Sequence, residues 1–125
     1  MRRTFTPLLA AILIFSNAPT AEAHSTLVSS LPKSGATLKV APKEVSLTFN
    51  EKLLVITGEH PNSLRVFSPA GISITSGALK VKANSVSISL KTLKAMKTIG
   101  KFKVAYRVVS ADGHPISGEY FFTVK

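Results

Sequence analysis

Val45, Leu47 and Phe49 alternate with Glu44, Ser46 and Thr48. A two-residue period of this kind belongs to a strand with one face in a core and the other in water. Short runs in which β-branched or aromatic residues are frequent recur at residues 26–30, 64–67, 72–75, 85–90, 101–109 and 119–124, making about seven strands. The breaks carry turn chemistry: Pro32-Lys33-Ser34-Gly35, Ala41-Pro42, Pro61-Asn62, Pro69-Ala70-Gly71, and Pro115 with Gly118. Only residues 90–99 hint at a helix, with Leu93, Met96 and Lys97 at helical spacing. Thr92 and Thr98 weaken that hint, and the stretch is expected to be a loop with at most one turn. Regular short strands with polar turns indicate an all-β sandwich or barrel.

The first 23 residues stand apart from this pattern. Arg2 and Arg3 make a positive start, residues 7–15 form a short apolar run, and Ala21-Glu22-Ala23 places small residues where signal peptidase inspects the chain. Cleavage is expected after Ala23, giving a leader at residues 1–23 and one domain at residues 24–125. The apolar run is shorter than the roughly 20 residues that span a bilayer, and no second run follows, so the exported protein is not expected to span a membrane. Arg2-Arg3 also suits a twin-arginine leader, but the strongly apolar run that follows favours ordinary Sec export.

The chain has a formal charge of +10, and losing Arg2, Arg3 and Glu22 would leave +9. Lysines spread through the domain, with few arginines and no interleaved stacking aromatics, argue against nucleic acid as a partner. Anionic membrane or cell-envelope surfaces suit such a charge, as does simple solvation. The chain contains no cysteine, which removes disulfides, thiolate metal sites and thiol nucleophiles together. A metal site here needs nitrogen and oxygen ligands.

Of the three histidines, two are placed to bind metal. Cleavage after Ala23 would put His24 at the new N-terminus, where its α-amine and Nδ1 can chelate one ion. His114 lies in Ser110-Ala111-Asp112-Gly113-His114-Pro115 between two expected strands. Residues i and i+2 of an extended segment share a side, so the Asp112 carboxylate and the His114 imidazole can converge. Three nitrogens and one oxygen suit tetragonal Cu(II), which also leads the divalent affinity order at such sites, with zinc the nearest competitor. The bland alternative for His114 is a loop histidine hydrogen-bonded to backbone. Ser110, Asp112 and His114, two residues apart in one loop, cannot form the relay of a hydrolase.

These residues belong to a wider pattern. The sequence resembles the CopC family of periplasmic copper-binding proteins in His24-Ser-Thr-Leu-Val-Ser-Ser, Pro32-Lys-Ser-Gly-Ala, Val45-Ser-Leu-Thr-Phe-Asn-Glu51 and Tyr106-Arg-Val-Val-Ser-Ala-Asp-Gly-His-Pro-Ile-Ser-Gly118. The resemblance implies an immunoglobulin-like Greek-key sandwich or barrel. It implies one Cu(II) per chain held by His24, Asp112 and His114, with Glu51 as an outer-shell or occasional ligand. It also implies a CopD-type inner-membrane copper permease as partner. Two features depart from the family. Residues 53–63 lack the methionines with which some members hold Cu(I), leaving His60 as an exposed loop histidine, and Tyr106 stands where tryptophan is common.

The expected function is therefore periplasmic capture of Cu(II) for buffering or delivery in copper homeostasis, without turnover. An N-terminal histidine with a second histidine also resembles the copper brace of lytic polysaccharide monooxygenases. In that alternative Asp112 would block the position oxygen needs, and aromatic residues are too few to pave a polysaccharide surface. A metal-free immunoglobulin-like module is the remaining alternative.

Overall fold

The structure is a computed structural model, and it describes residues 26–91 and 99–125. The expected leader, His24 and most of the stretch 90–99 lie outside the described residues. Eight strands follow in order: β1 (Leu27–Leu31), β2 (Thr37–Leu38), β3 (Glu44–Phe49), β4 (Ser63–Phe67), β5 (Thr75–Lys82), β6 (Ser85–Leu90), β7 (Gly100–Val109) and β8 (Pro115–Val124). One sheet has the order β1-β3-β6-β5 and the other β2-β8-β7-β4. All pairings are antiparallel except that of β2 with β8. This is the strand distribution of the immunoglobulin constant-type sandwich, with β2 added beside the last strand. Because β3 and β4, β4 and β5, and β6 and β7 lie in opposite sheets, the chain crosses between layers at each of these steps.

The alternation seen in the sequence becomes the core. Val45, Leu47 and Phe49 of β3 and Val86, Ile88 and Leu90 of β6 face Leu64 and Val66 of β4, Phe102, Val104 and Val108 of β7, and Tyr120, Phe122 and Val124 of β8. Phe102 and Phe122, partners across β7 and β8, stack with centroids 5.2 Å apart. The buried Tyr120 hydroxyl donates to the Pro32 carbonyl at 2.9 Å, which meets the need of a polar group inside an apolar layer.

Three strand expectations shift. Residues 72–75 were expected to be a strand, but pairing starts at Thr75 and runs to Lys82. Most of β5 is exposed at the sheet edge, and its ladder is interrupted between Ser76 and Lys80 around Gly77, at φ +76°, so no clean apolar period marks it. Strand β8 begins at Pro115, four residues earlier than expected. Pro115 is its first residue, where a missing N–H is tolerated. Gly118 is a strand residue rather than part of a turn. Strand β2 has two residues, too few for any period to register.

Candidate metal site

The β7–β8 connection is a tight loop whose hydrogen bonds converge on Ser110. The Gly113 N–H donates to the Ser110 carbonyl at 2.8 Å, and the Ser110 N–H donates to the His114 carbonyl at 2.9 Å. Gly113 has φ +90°, a conformation that side chains resist. The Ser110 side chain is fully buried. Its hydroxyl donates to Asp112 Oδ1 and accepts the His114 N–H at 3.1 Å. One buried hydroxyl thus orients both residues the sequence singled out.

The structure brings Asp112 and His114 together. His114 Nδ1 lies 3.0 Å from Asp112 Oδ2, with both side chains more than half exposed. The hydrogen bonds from Ser110 and then His114, with the latter's charge, hold the Asp112 carboxyl below its usual range. It stays ionised and acceptor-only in mildly acidic water. As an exposed carboxylate beside an exposed imidazole, the pair can offer one oxygen and one nitrogen to a cation.

The loop is held from beneath by the segment that follows β3. Ala111 donates to the Lys52 carbonyl at 2.9 Å, Leu54 donates to the Val109 carbonyl at 2.8 Å, and Leu53 bridges to Ser110. Glu51, half-buried, is the residue before Lys52 and therefore sits on the strip that flanks the loop. Asn62 closes the assembly: its amide donates to the Leu54 carbonyl at 2.8 Å, and its oxygen accepts the Val109 N–H at 2.9 Å. Asn62 was seen in the sequence only as half of a Pro-Asn turn. No sequence signal marks its role, whereas Ser-x-Asp is a recognisable side-chain turn pattern that could have flagged Ser110 as more than a spacer.

The start of β1 lies at the same end. Asn50 accepts the Thr26 N–H on its side chain at 2.7 Å and donates its own N–H to the Thr26 carbonyl at 3.1 Å. His24 itself is outside the described residues. Among those residues, no group of three or more His, Cys, Asp or Glu side chains could hold a metal ion. His60 is exposed and lines a cavity of about 190 Å³ with Leu54, Asn62 and, on β5, Ala78, Leu79 and Val81. Tyr106 packs edge-on against Phe49, with centroids 5.7 Å apart, and lies partly buried against the core.

Fold and loop together define an immunoglobulin-like sandwich that presents a carboxylate–imidazole pair at the β7–β8 turn. The chain belongs to the CopC family: the CopC domain model matches residues 27–125. It is 33% identical to Copper resistance protein C of Escherichia coli, over 94% of each chain. To Copper resistance protein C of Pseudomonas syringae pv. tomato it is also 33% identical, over 99% of this chain and 97% of that protein. Among solved structures, CopC from Methylosinus trichosporium OB3b superposes with a TM-score of 0.63 at 27% identity, covering 82% of this chain and 94% of that one. PcoC, a methionine-rich copper resistance protein from Escherichia coli, gives 0.62 at 28% identity, covering 82% and 100%. No helix among the described residues is long and apolar enough to cross a membrane.

Proposed function

We propose that this domain captures one Cu(II) ion per chain in the periplasm, using the α-amine and imidazole of His24, the carboxylate of Asp112 and the imidazole of His114, and then buffers or delivers it. Copper handling without turnover accords with membership of a family whose relatives are named for copper resistance. The copper ion is cargo. Glu51 serves as an outer-shell or occasional ligand, and a CopD-type inner-membrane permease is the proposed exchange partner.

The observation that carries this reading is the 3.0 Å separation of His114 Nδ1 from Asp112 Oδ2. At this separation the imidazole and carboxylate are hydrogen-bonded to each other, and a cation that displaces the shared proton would find one nitrogen and one oxygen side by side; Cu(II) leads the divalent affinity order for such donors. The Thr26–Asn50 anchor supports the remaining ligands. Thr26 is two positions from His24, a reach of at most ~7 Å, and Asn50 is two positions from Lys52, whose carbonyl binds the loop.

The test compares protein beginning at His24 with a form that retains a methionine before it. Chelation needs a free amine, which the extra peptide bond converts to an amide. Affinity for Cu(II), measured by competition, should fall by orders of magnitude, and the EPR signature of nitrogen coordination should change. Matching affinities and spectra in the two forms would remove His24 from the site.

A further inference from the structure

The two sheets expose very different outer faces. On the β1-β3-β6-β5 sheet, Ser29, Ser46, Thr48, Ser87 and Ser89 point outward in register, a hydroxyl surface with Lys80 and Lys82 at its β5 edge. On the β2-β8-β7-β4 sheet, the outward positions of β4, β7 and β8 carry Arg65, Lys101, Lys103 and Arg107 against a single carboxylate, Glu119. The outer face of this sheet is therefore strongly cationic, while Lys80 and Lys82 lie on the other sheet and further lysines lie in the connecting segments.

The cations on that face are arranged around aromatic rings. Lys101 Nζ lies 4.3 Å from the centroid of Phe121, and Lys103 Nζ lies 5.3 Å from that of Phe67. Phe121 is 37% exposed. Lys103 also makes a long ion-pair contact to Glu119 at 3.9 Å between exposed groups, which is worth little in water. Arg65 and Arg107, at diagonal positions beside Ala105, have no ion-pair partner among the described residues.

We propose that this sheet face docks on the surface of an anionic phospholipid bilayer. An array of lysines and arginines gains from every anionic headgroup it covers, and an exposed ring flanked by cations suits the boundary between headgroups and acyl chains. An acidic peptide would instead call for a groove, and the described cavity lies against β5 in the other sheet. The arrangement is independent of copper, because none of these side chains belongs to the proposed metal site.

The experiment is co-sedimentation of the full chain with phosphatidylcholine vesicles containing or lacking 30% phosphatidylglycerol, at low salt and at high salt. The salt-released fraction isolates charge-driven docking from any insertion of the apolar N-terminal segment. Arg65→Gln/Arg107→Gln should lower salt-sensitive partitioning to anionic vesicles roughly tenfold or more. Lys101→Gln/Lys103→Gln should do the same independently, whereas Lys80→Gln/Lys82→Gln should stay within about twofold of the parent. Melting curves verify that each variant is folded. Equal loss in the β5 variant, or equal binding to neutral and anionic vesicles, would overturn the proposal. Capture of polyglutamate without a preference for anionic vesicles would also overturn it and assign the face to an acidic protein segment.

Discussion

The Tyr106 ring lies across Gly118, its register partner on the neighbouring strand, so closely that a β-carbon on Gly118 would stand 2.5 Å from the Tyr106 hydroxyl and 2.7 Å from the ring carbon that bears it. The ring cannot simply swing away, because its other side packs edge-on against Phe49. Glycine is present here for space beneath an aromatic ring and not for a turn. The contact lies on the strands that launch the metal loop.

Gly118→Ala should therefore destabilise the fold by about 1–3 kcal/mol through overpacking, seen as a lower melting temperature. Combining it with Tyr106→Ala should give a smaller loss than the two single changes summed, because the clash disappears with the ring. Strict additivity in that double-mutant cycle would contradict the contact.

Ser110→Ala removes the hydroxyl that holds Asp112 and the His114 backbone. Groups that orient metal ligands typically change affinity by about 10–100-fold, and Cu(II) competition titration should show a loss in that range with an altered EPR spectrum. A parent-like affinity would show that the loop keeps its geometry without the hydroxyl.

Asn62→Ala leaves the Val109 N–H and the Leu54 carbonyl without their present partners. Leaving such groups unsatisfied costs about 1–3 kcal/mol each where water is excluded, so unfolding should occur at clearly lower denaturant. Copper affinity should fall as well, since the segment beneath the loop loses its clamp. An unchanged midpoint would show that water replaces the side chain.

Acid should act on this site in two stages. Protons compete first for the nitrogen donors, among them the His24 amine, whose ordinary value is about 7.7–8.0, so Cu(II) affinity should decline as pH falls below about 8. Asp112 titrates later, because the bonds from Ser110 and His114 depress its folded value below 3.8. A depressed carboxyl adds stability above its unfolded value and loses it as pH falls through the folded one. Asp112→Asn should thus weaken binding while leaving the slope between pH 7 and 5 unchanged. A flatter slope in that variant would mean that Asp112 itself titrates in this range.

His114→Ala should weaken Cu(II) binding more than Asp112→Ala, because imidazole is the stronger donor for this ion. Competition titrations of the two variants decide the order. Parent-like affinity in both would remove the loop from the site.

Much of this molecule was legible in the chain itself. The alternation at Glu44–Phe49 and its repeats determined an all-β sandwich, because burial on one face of a strand is written residue by residue. Asp112 and His114 were legible as a pair, and they do meet, although a tight turn with Gly113 at φ +90° brings them together rather than the extended segment expected. Tertiary structure decided what depends on residues far apart in sequence. The edge strand β5 and the two-residue β2 bury too little to leave a period, so only their pairing partners define them. Asn62 contacts Val109 across 47 positions, and the gathering of Arg65, Lys101, Lys103 and Arg107 on one face follows from the register of β4, β7 and β8. Local patterns carry local geometry, while contacts between distant segments exist only once the sheets have packed.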